Sequence, residues 1–224
     1  MNKKEYDSFA KNCILGSKPP CSAGCPLNLD IPAILHHLQS GNFSAAYRLY
    51  RNQSVFPGIV SEICTQPCRA GCVRREKDEA ISLLLLEKAC VQFASSDTPP
   101  SYNLPKRNKR VSVIGGGLAG LTCALKLGAK SYDVTLYEKK GVLGGRLHEL
   151  LNPEIFLPEI AKQMQFARCQ IELNREVLSL SELEFDAAFI ATGPGGNHFG
   201  LIDRIDRNAF STAQEGVFIG GGMI

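Results

Sequence analysis

Six of the nine cysteines of this 224-residue chain lie in two short groups ahead of a glycine-rich segment. The first group ends in Cys-Pro, and in the second group three residues separate each cysteine from the next. Thiolates grouped in this way bind zinc or iron–sulfur clusters. Structural zinc sites favour pairs of cysteines in finger-like repeats, whereas bacterial ferredoxins also end a cysteine run with Cys-Pro. The first expectation is therefore an iron–sulfur site, with zinc or inert buried thiols as alternatives, at Cys13, Cys21, Cys25, Cys64, Cys68 and Cys72.

The other three cysteines stand apart from these groups. Cys90 lies in a predicted helix, Cys123 in the helix after the glycine-rich segment, and Cys169 in an apolar, strand-like segment. Cysteine often behaves as a small apolar side chain, so we expect all three to be buried without a ligand role.

Composition excludes several classes of protein. The N-terminal residues lack a secretory apolar core, and no apolar stretch approaches the ~20 residues that span a bilayer. We therefore expect a cytoplasmic protein with reduced thiols and no membrane span. The net charge of +3 and the pI of about 8.3 are too mild to indicate a nucleic-acid partner.

A second chemical signature is the Gly-Gly-Gly-Leu-Ala-Gly segment over residues 115–120, which follows a short β-branched run. In a dinucleotide fingerprint Gly115 permits a tight turn, Gly117 lets the backbone approach a pyrophosphate, and Gly120 allows close packing of helix on strand. A helical segment and a second strand follow, and that strand ends at Glu138, which would accept hydrogen bonds from ribose hydroxyls. This order of elements predicts a Rossmann-type nucleotide site.

The cysteine-bearing part of the chain has helical periodicity. Asp30 is placed to begin one helix, Asn42 or Ser44 to begin a second, and a longer third helix is predicted from about residue 78 to 93. The cysteines then lie on loops between helices. Such a small core would gain much of its stability from a bound metal.

A change of composition near residue 100 separates two domains. Pro, Ser and cationic residues accumulate there without hydrophobic periodicity, which is typical of a linker. We predict a helical iron–sulfur domain over 1–95, a linker over 96–109 and a Rossmann-like FAD-binding domain over 110–224. The predicted fold class is α plus α/β.

Three further segments resemble motifs of the large FAD-dependent oxidoreductase superfamily. Residues 138–146 resemble its acid and diglycine segment, 186–193 its Ala-Thr-Gly strand, and 216–221 its closing strand. This resemblance implies FAD as the cofactor. With the fingerprint, the implied cofactor-binding residues are Gly115, Gly117, Leu118, Ala119, Gly120, Glu138, Lys139, Gly144, Gly145, Arg146, Val177, Ala191, Thr192, Gly193, Gly221 and Gly222.

Taken with the cysteines, the chain resembles the small (β) subunit of glutamate synthase and the N-terminal region of dihydropyrimidine dehydrogenase. The resemblance implies that one [4Fe–4S] cluster is held by Cys25, Cys64, Cys68 and the carboxylate of Glu87. It assigns Cys13, Cys21 and Cys72 to a second cluster. The family has a further cysteine where this chain has Gly16. The second site could thus hold a [3Fe–4S] cluster, a [4Fe–4S] cluster completed by water or Ser17, or no cluster.

Two departures from the family concern electron supply and flavin contact. Relatives insert a second Rossmann unit for NAD(P)H before the closing strand, but residues 194–215 are too few for a βαβ unit of ~30 residues. We therefore expect electrons to come from or go to a redox partner protein. The closing motif reads Gly221-Gly222 where Gly-Asp is usual, which would weaken flavin binding.

These patterns predict an electron-transfer iron–sulfur flavoprotein, an oxidoreductase subunit or module that passes electrons between FAD, [4Fe–4S]-type clusters and a partner. Two alternatives remain open at this point. The chain could be a fragment or relative of an NAD(P)H-dependent reductase like the glutamate synthase β subunit. It could also be a non-catalytic scaffold with degenerate cofactor sites.

Overall fold

The computed structural model describes residues 13, 19–96, 104–165, 167–203, 205–206 and 209–222. Internal contacts divide the chain into two compact units, residues 1–98 and 99–224. The first unit is helical, and the second is built on a parallel sheet. The predicted α plus α/β class is confirmed. Within the described ranges, no helix has both the length and the apolar character needed to cross a membrane.

The described part of the first unit contains α1 (Pro20–Ala23), α2 (Ile31–Gln39), α3 (Phe43–Ser54), α4 (Pro57–Ile63) and α5 (Leu83–Phe93). Two short 3-10 helices, Pro67–Gly71 and Val73–Glu76, separate α4 from α5. The Asp30 carboxylate accepts a hydrogen bond from the backbone N–H of Ala33 at 3.1 Å and begins α2. Asn42 begins α3 in the same way through the N–H of Ala45. Both side chains satisfy backbone donors that the first helical turn leaves free.

The third predicted helix begins later than expected. Instead of residue 78, α5 starts at Leu83. Asp78 accepts a hydrogen bond from the backbone N–H of Glu79 and forms an ion pair with Arg74. Short acidic side chains that bond locally in this way favour turns over helix interiors. The sequence analysis also missed α4, whose start is marked by Pro57.

An apolar core packs α2, α3 and α5 of the first unit together. Leu35 and Leu38 of α2, Tyr50 of α3, and Leu86 and Ala89 of α5 are each at most 1% exposed. Five of the six grouped cysteines are partly or fully buried on this core, namely Cys13, Cys21, Cys25, Cys68 and Cys72. We had expected all of these cysteines to lie on loops. That prediction is wrong for Cys21, which lies in α1, and for Cys68, which lies in a 3-10 helix. The core therefore positions the thiols.

The second unit contains β1 (Arg110–Ile114), α6 (Leu118–Ala129), β2 (Asp133–Glu138), α7 (Leu147–Leu150), α8 (Pro153–Gln165), β3 (Cys169–Leu173), β4 (Ala187–Ile190) and β5 (Val217–Ile219). The five strands are parallel in the order β3-β2-β1-β4-β5. The chain thus moves outward from β1 to β3 and then returns to the other side of β1. Such a reversal opens a crevice at the carboxyl ends of the two strands beside it, here β1 and β4.

Close backbone contacts fix the turn between β1 and α6. A Cβ atom on Gly120 would lie 1.9 Å from the carbonyl oxygen of Gly115. Gly115 itself has a φ of +110°, and a Cβ atom there would lie 2.3 Å from the carbonyl oxygen of Ala191. A side chain at Gly115 would force the turn away from β4, and one at Gly120 would force α6 away from the turn, so the sequence specifies this crevice through its glycines.

The segment between β4 and β5 consists of turns, bends and one isolated bridge in its described residues. Ser211 makes that bridge with Phe218 of β5. Within the described part of 191–216 there is no further strand–helix–strand unit.

Replacing Gly120 with alanine tests this packing. The added methyl group must displace the Gly115 backbone, so we expect Gly120→Ala to lower the free energy of unfolding by ~2 kcal/mol or more. Denaturant unfolding of the whole chain measures the change. Gly117→Ala is the matched control, because its added Cβ atom meets no atom closer than 3.9 Å and its φ of −78° suits alanine. Equal destabilisation by both substitutions would contradict the packing argument.

Candidate functional site

The structure brings together the side chains predicted to hold the first cluster. Cys25 follows α1, Cys64 ends α4, Cys68 lies in a 3-10 helix and Glu87 lies on α5. The Cys64 thiol lies within hydrogen-bonding reach of the Glu87 carboxyl group. Cys25 and Cys68 are near enough to these groups to act on them electrostatically. Four separate elements therefore direct three sulfurs and one carboxylate to one region.

Electrostatics disfavour negative charge in this group of side chains. Burial and, after it, the nearby charges of Cys25, Cys64 and Glu87 together raise the pKa of the Cys68 thiol to about 12. Burial is also the first cause of the raised pKa of Cys64. Thiolates at these positions would need neighbouring cations, since like charges at short range destabilise one another. The iron of a cluster bound here would supply that positive charge.

Glu87 is the most unusual of the four. Its side chain lies on a helix that faces the core, and the residue is 8% exposed. Its pKa is raised to about 7, because the effect of burial outweighs the opposite effects of the nearby Cys64 thiol and Tyr50 hydroxyl. Within the described residues its Oε2 atom has no hydrogen-bond partner. A buried carboxylate oxygen without a partner is costly unless it binds a cation. The donor set therefore fits an iron–sulfur cluster.

The predicted ligands of the second cluster also meet. Cys13, Cys21 and Cys72 line one cavity of about 30 Å³. Burial raises the pKa of Cys13 to about 11, and Cys21 and Cys72 are the next causes. Gly16 and Ser17, which bear on the fourth ligand, lie outside the described residues. The completion of this site stays a prediction.

In the part of the chain that the structure describes, no three His, Cys, Asp or Glu side chains are placed to hold a single metal ion. A cluster of several iron atoms is a larger body than one ion, so its ligands stand farther apart.

The two sets of cysteines are also neighbours, since Cys21 acts electrostatically on Cys68, and Cys25 acts on Cys21.

The remaining cysteines behave differently from one another. Cys90 is fully buried on α5, as we expected. Cys123 and Cys169 are only partly buried, so that expectation is wrong for both. Cys123 lies on α6, and Cys169 begins β3, an edge strand with one uncovered side.

A cleft of about 430 Å³ lies at the carboxyl ends of β1 and β4. This volume is within the ~300–1,000 Å³ typical of ligand pockets. Two of the predicted cofactor-binding residues, Gly120 and Gly144, do not line the cleft. They shape the turn and the loop around it instead. The predicted cofactor-binding residues that line it are Gly115, Gly117, Leu118, Ala119, Glu138, Lys139, Gly145, Arg146, Val177, Ala191, Thr192, Gly193, Gly221 and Gly222.

Glu138 ties the loops of the cleft together. Its Oε2 atom accepts a hydrogen bond from the backbone N–H of Gly116 at 2.7 Å, and Oε1 accepts one from Lys140 at 2.8 Å. The N–H of Gly144 donates to the Gly116 carbonyl at 2.9 Å, which joins the diglycine loop to the fingerprint. A carboxylate has about four acceptor positions. Glu138 can therefore hold both loops and still accept hydrogen bonds from a ribose.

Gly117 leaves open the space in which a phosphate group would lie. It precedes the first turn of α6, a twelve-residue helix. Helix N-termini attract anions through their free N–H groups and the helix dipole. A Cβ atom on Gly117 would have only the Cα atom of Gly145 nearby, at 3.9 Å. This cradle of bare backbone fits a dinucleotide pyrophosphate.

Sequence reasoning missed several residues that line the cleft. These are Lys140, Arg175 and Glu176, which lie beside Lys139 and Glu138. Arg175 follows β3, and its N–H donates to the Glu138 carbonyl at 3.0 Å. One sequence signal could have identified them: these residues lie just after adjacent parallel strands, whose carboxyl ends share one edge of the sheet.

Comparison with known families supports both units. Residues 1–98 match the family described as dihydropyrimidine dehydrogenase domain II, 4Fe-4S cluster. Residues 113–157 match an NAD(P)-binding Rossmann-like domain. The predicted resemblance is confirmed, and the chain combines an iron–sulfur domain with a nucleotide-binding domain of the NAD(P)/FAD type.

Three curated proteins illustrate the relatives of this chain. NADPH-Fe(3+) oxidoreductase subunit beta of Geobacter sulfurreducens is 26% identical and aligns with 78% of this chain and 28% of its own length. The NAD-dependent dihydropyrimidine dehydrogenase subunit PreT of Escherichia coli K12 is 27% identical and aligns with 96% of this chain and 59% of its own length. The putative oxidoreductase AegA of the same organism is 30% identical and aligns with 82% of this chain and 30% of its own length. The chain thus spans between 28% and 59% of the length of these relatives.

The cysteine assignment predicts which thiols iron needs. Cys68→Ala removes a sulfur from the first set, so we expect the anaerobically purified chain to lose about one cluster's iron. Cys90→Ala is the matched control, since Cys90 is equally buried and follows Glu87 on the same helix. It should leave the iron content unchanged. Iron analysis per chain makes the comparison, and equal losses in both variants would contradict the assignment.

The bare backbone at Gly117 predicts a separation of binding from stability. In Gly117→Ala the methyl group enters the space left for a pyrophosphate, so flavin affinity should fall by about tenfold or more. Unfolding free energy should change by no more than ~0.5 kcal/mol. Fluorescence titration of the flavin-free protein with FAD measures the affinity. Unchanged FAD affinity in a folded variant would show that the phosphate lies elsewhere.

Proposed function

This chain joins an iron–sulfur domain of the dihydropyrimidine dehydrogenase type to a Rossmann-like nucleotide-binding domain, and we propose that it is an electron-transfer module of an oxidoreductase. In this role it passes electrons between a flavin, one or two iron–sulfur clusters and a partner protein. Its relatives are named as oxidoreductases or as subunits of them, which supports the assignment.

The observation that carries the proposal is the buried donor set of the first unit. Three cysteines and Glu87 share one region of a small core, where burial raises the pKa of Cys68 and of Glu87. Thiols that ionise so unfavourably are poor candidates for acid–base work near neutral pH. They are good ligands for a cationic cluster, since the metal stabilises their deprotonated forms.

FAD is the dinucleotide that we assign to the cleft. Support comes from the diglycine loop beside the fingerprint, and from the Ala-Thr-Gly segment at the end of β4. Gly221 and Gly222 follow β5 and line the same cleft. Bound there, a flavin would supply chemistry in which electrons are exchanged in pairs or singly, while a cluster exchanges one at a time.

We assign one [4Fe–4S] cluster to Cys25, Cys64, Cys68 and Glu87. A second cluster, [4Fe–4S] or [3Fe–4S], is proposed at Cys13, Cys21 and Cys72, which line a common cavity. Because these thiols must stay reduced to bind iron, we place the protein in the cytoplasm.

A redox partner protein completes the proposal. The relatives from G. sulfurreducens and the PreT protein of E. coli are both named as subunits. The interval between β4 and β5 is short, so we assign the supply or removal of electrons to a separate protein rather than to NAD(P)H bound by this chain. We assign no general acid, base or nucleophile.

An anaerobic reductive titration tests this function. Dithionite added to the purified chain should reduce it with two electrons for the flavin and one for each cluster, so about three electrons for one cluster and about four for two. Absorption spectra follow the flavin and the clusters together. Uptake of electrons by neither group would show a non-catalytic scaffold.

A second titration, with NADH or NADPH alone, tests the need for a partner. We expect little reduction within the time in which dithionite reduces the chain fully. Rapid and complete reduction by either nucleotide would instead identify an NAD(P)H-dependent reductase.

A further inference from the structure

The His148 side chain reaches back to the diglycine loop, which connects β2 to α7. His148 lies on α7, and its Nε2 atom is 2.9 Å from the carbonyl oxygen of Leu143. A carbonyl oxygen can only accept, so Nε2 carries the proton and donates this hydrogen bond. His148 is not one of the residues that line the cleft. Any effect of His148 on a bound ligand must therefore pass through the loop.

The imidazole ring of His148 also packs against α8. Its centroid lies 5.0 Å from that of the Phe156 ring, and the two ring planes cross at 86°, which is an edge-to-face contact. Phe156 is 0% exposed, so its ring is held in the apolar interior. A Cβ atom on Gly144 would lie 2.7 Å from the Phe156 ring and 3.2 Å from Nε2 of His148. The diglycine loop thus lies directly against both rings.

The peptide group between Leu143 and Gly144 is hydrogen-bonded on both sides. Its carbonyl oxygen accepts from His148, and its N–H, which belongs to Gly144, donates to the carbonyl of Gly116 at 2.9 Å. A rotation of this peptide plane would misalign both hydrogen bonds, and hydrogen bonds weaken steeply as they bend. His148 and the fingerprint loop therefore fix the orientation of the peptide together.

This peptide group adjoins the backbone that would face a pyrophosphate. Gly144 forms an isolated parallel bridge with Gly117, the residue before α6. The next residue, Gly145, lines the cleft, and a Cβ atom on it would lie 2.9 Å from the Cα atom of Gly117. With the two backbones so close, a small rotation at Gly144 changes the space over the N-terminus of α6, where phosphate groups bind.

We propose that His148 is a positioning residue for the dinucleotide, whose Nε2–H group holds the diglycine loop in the orientation that receives the pyrophosphate. It acts through the peptide group between Leu143 and Gly144 and touches no ligand. The part of the ligand that depends on His148 is the diphosphate, which FAD shares with simpler nucleotides. This inference rests on the proposed function, because it needs a dinucleotide in the cleft.

Three substitutions separate the N–H donor of His148 from its ring. His148→Phe keeps a ring beside Phe156 and removes the donor. His148→Gln loses the ring but carries an amide N–H as many bonds from Cα as Nε2 is, whereas the amide of His148→Asn is one bond too short. We expect FAD affinity to fall about fivefold in the Phe and Asn variants, the contribution of one hydrogen bond, and to stay within about twofold of the wild type in His148→Gln.

Fluorescence titration of the flavin-free whole chain with FAD measures these affinities, and competition with ADP locates the effect. ADP has the diphosphate but no flavin, so each variant should lose the same factor for ADP as for FAD. Leu150→Gln is the control, because Leu150 lies on α7, is 55% exposed and is not among the residues that line the cleft. It should leave both affinities unchanged.

Several results would overturn the inference about His148. These are wild-type affinity in His148→Phe, a loss in His148→Gln as large as in His148→Phe, an equal loss in Leu150→Gln, and a loss for FAD that ADP does not share. A wild-type chain that binds neither FAD nor ADP would overturn the proposed nucleotide site together with the inference. Binding of ADP without FAD would overturn only the assignment of FAD, and the ADP measurements would still decide the role of His148.

Discussion

The main physical constraint on the first unit is that several ionisable thiols and one carboxylate lie close together in a small helical core. Burial is the main cause of the raised pKa of Cys68, about 12, and of Glu87, about 7, so both groups ionise less readily here than in water. Iron bound at this site would offset that effect, because its positive charge would stabilise thiolate and carboxylate together. Binding and folding are then coupled, as they are in other small metal domains. Under the proposed assignment, the same side chains would set both stability and function.

The second unit depends instead on the absence of side chains. Gly115 and Gly120 let the backbone turn sharply from β1 into α6, and Gly117 leaves the helix N-terminus uncovered. Glu138 then holds the fingerprint loop through the N–H of Gly116. These contacts form a cleft whose floor is backbone and whose rim carries charged residues. A cofactor with phosphates in its middle and a ribose at one end suits this distribution of groups.

Much of this architecture was predictable because local signals agreed with the global fold. Asp30 and Asn42 begin helices as expected, and the fingerprint correctly predicted β1, α6 and β2 in their order along the chain. The late start of α5 depended on local hydrogen bonds of Asp78, and the exposure of Cys169 on its position at a sheet edge. Neither is visible in hydrophobic periodicity.

The count of iron, sulfide and flavin in protein purified without oxygen tests the central claim most directly. The account predicts about four iron and four sulfide per chain if one cluster is present, about eight of each if both are [4Fe–4S], and about one FAD. Folded protein that holds neither iron nor flavin, or that holds zinc in the cysteine sites, would contradict it.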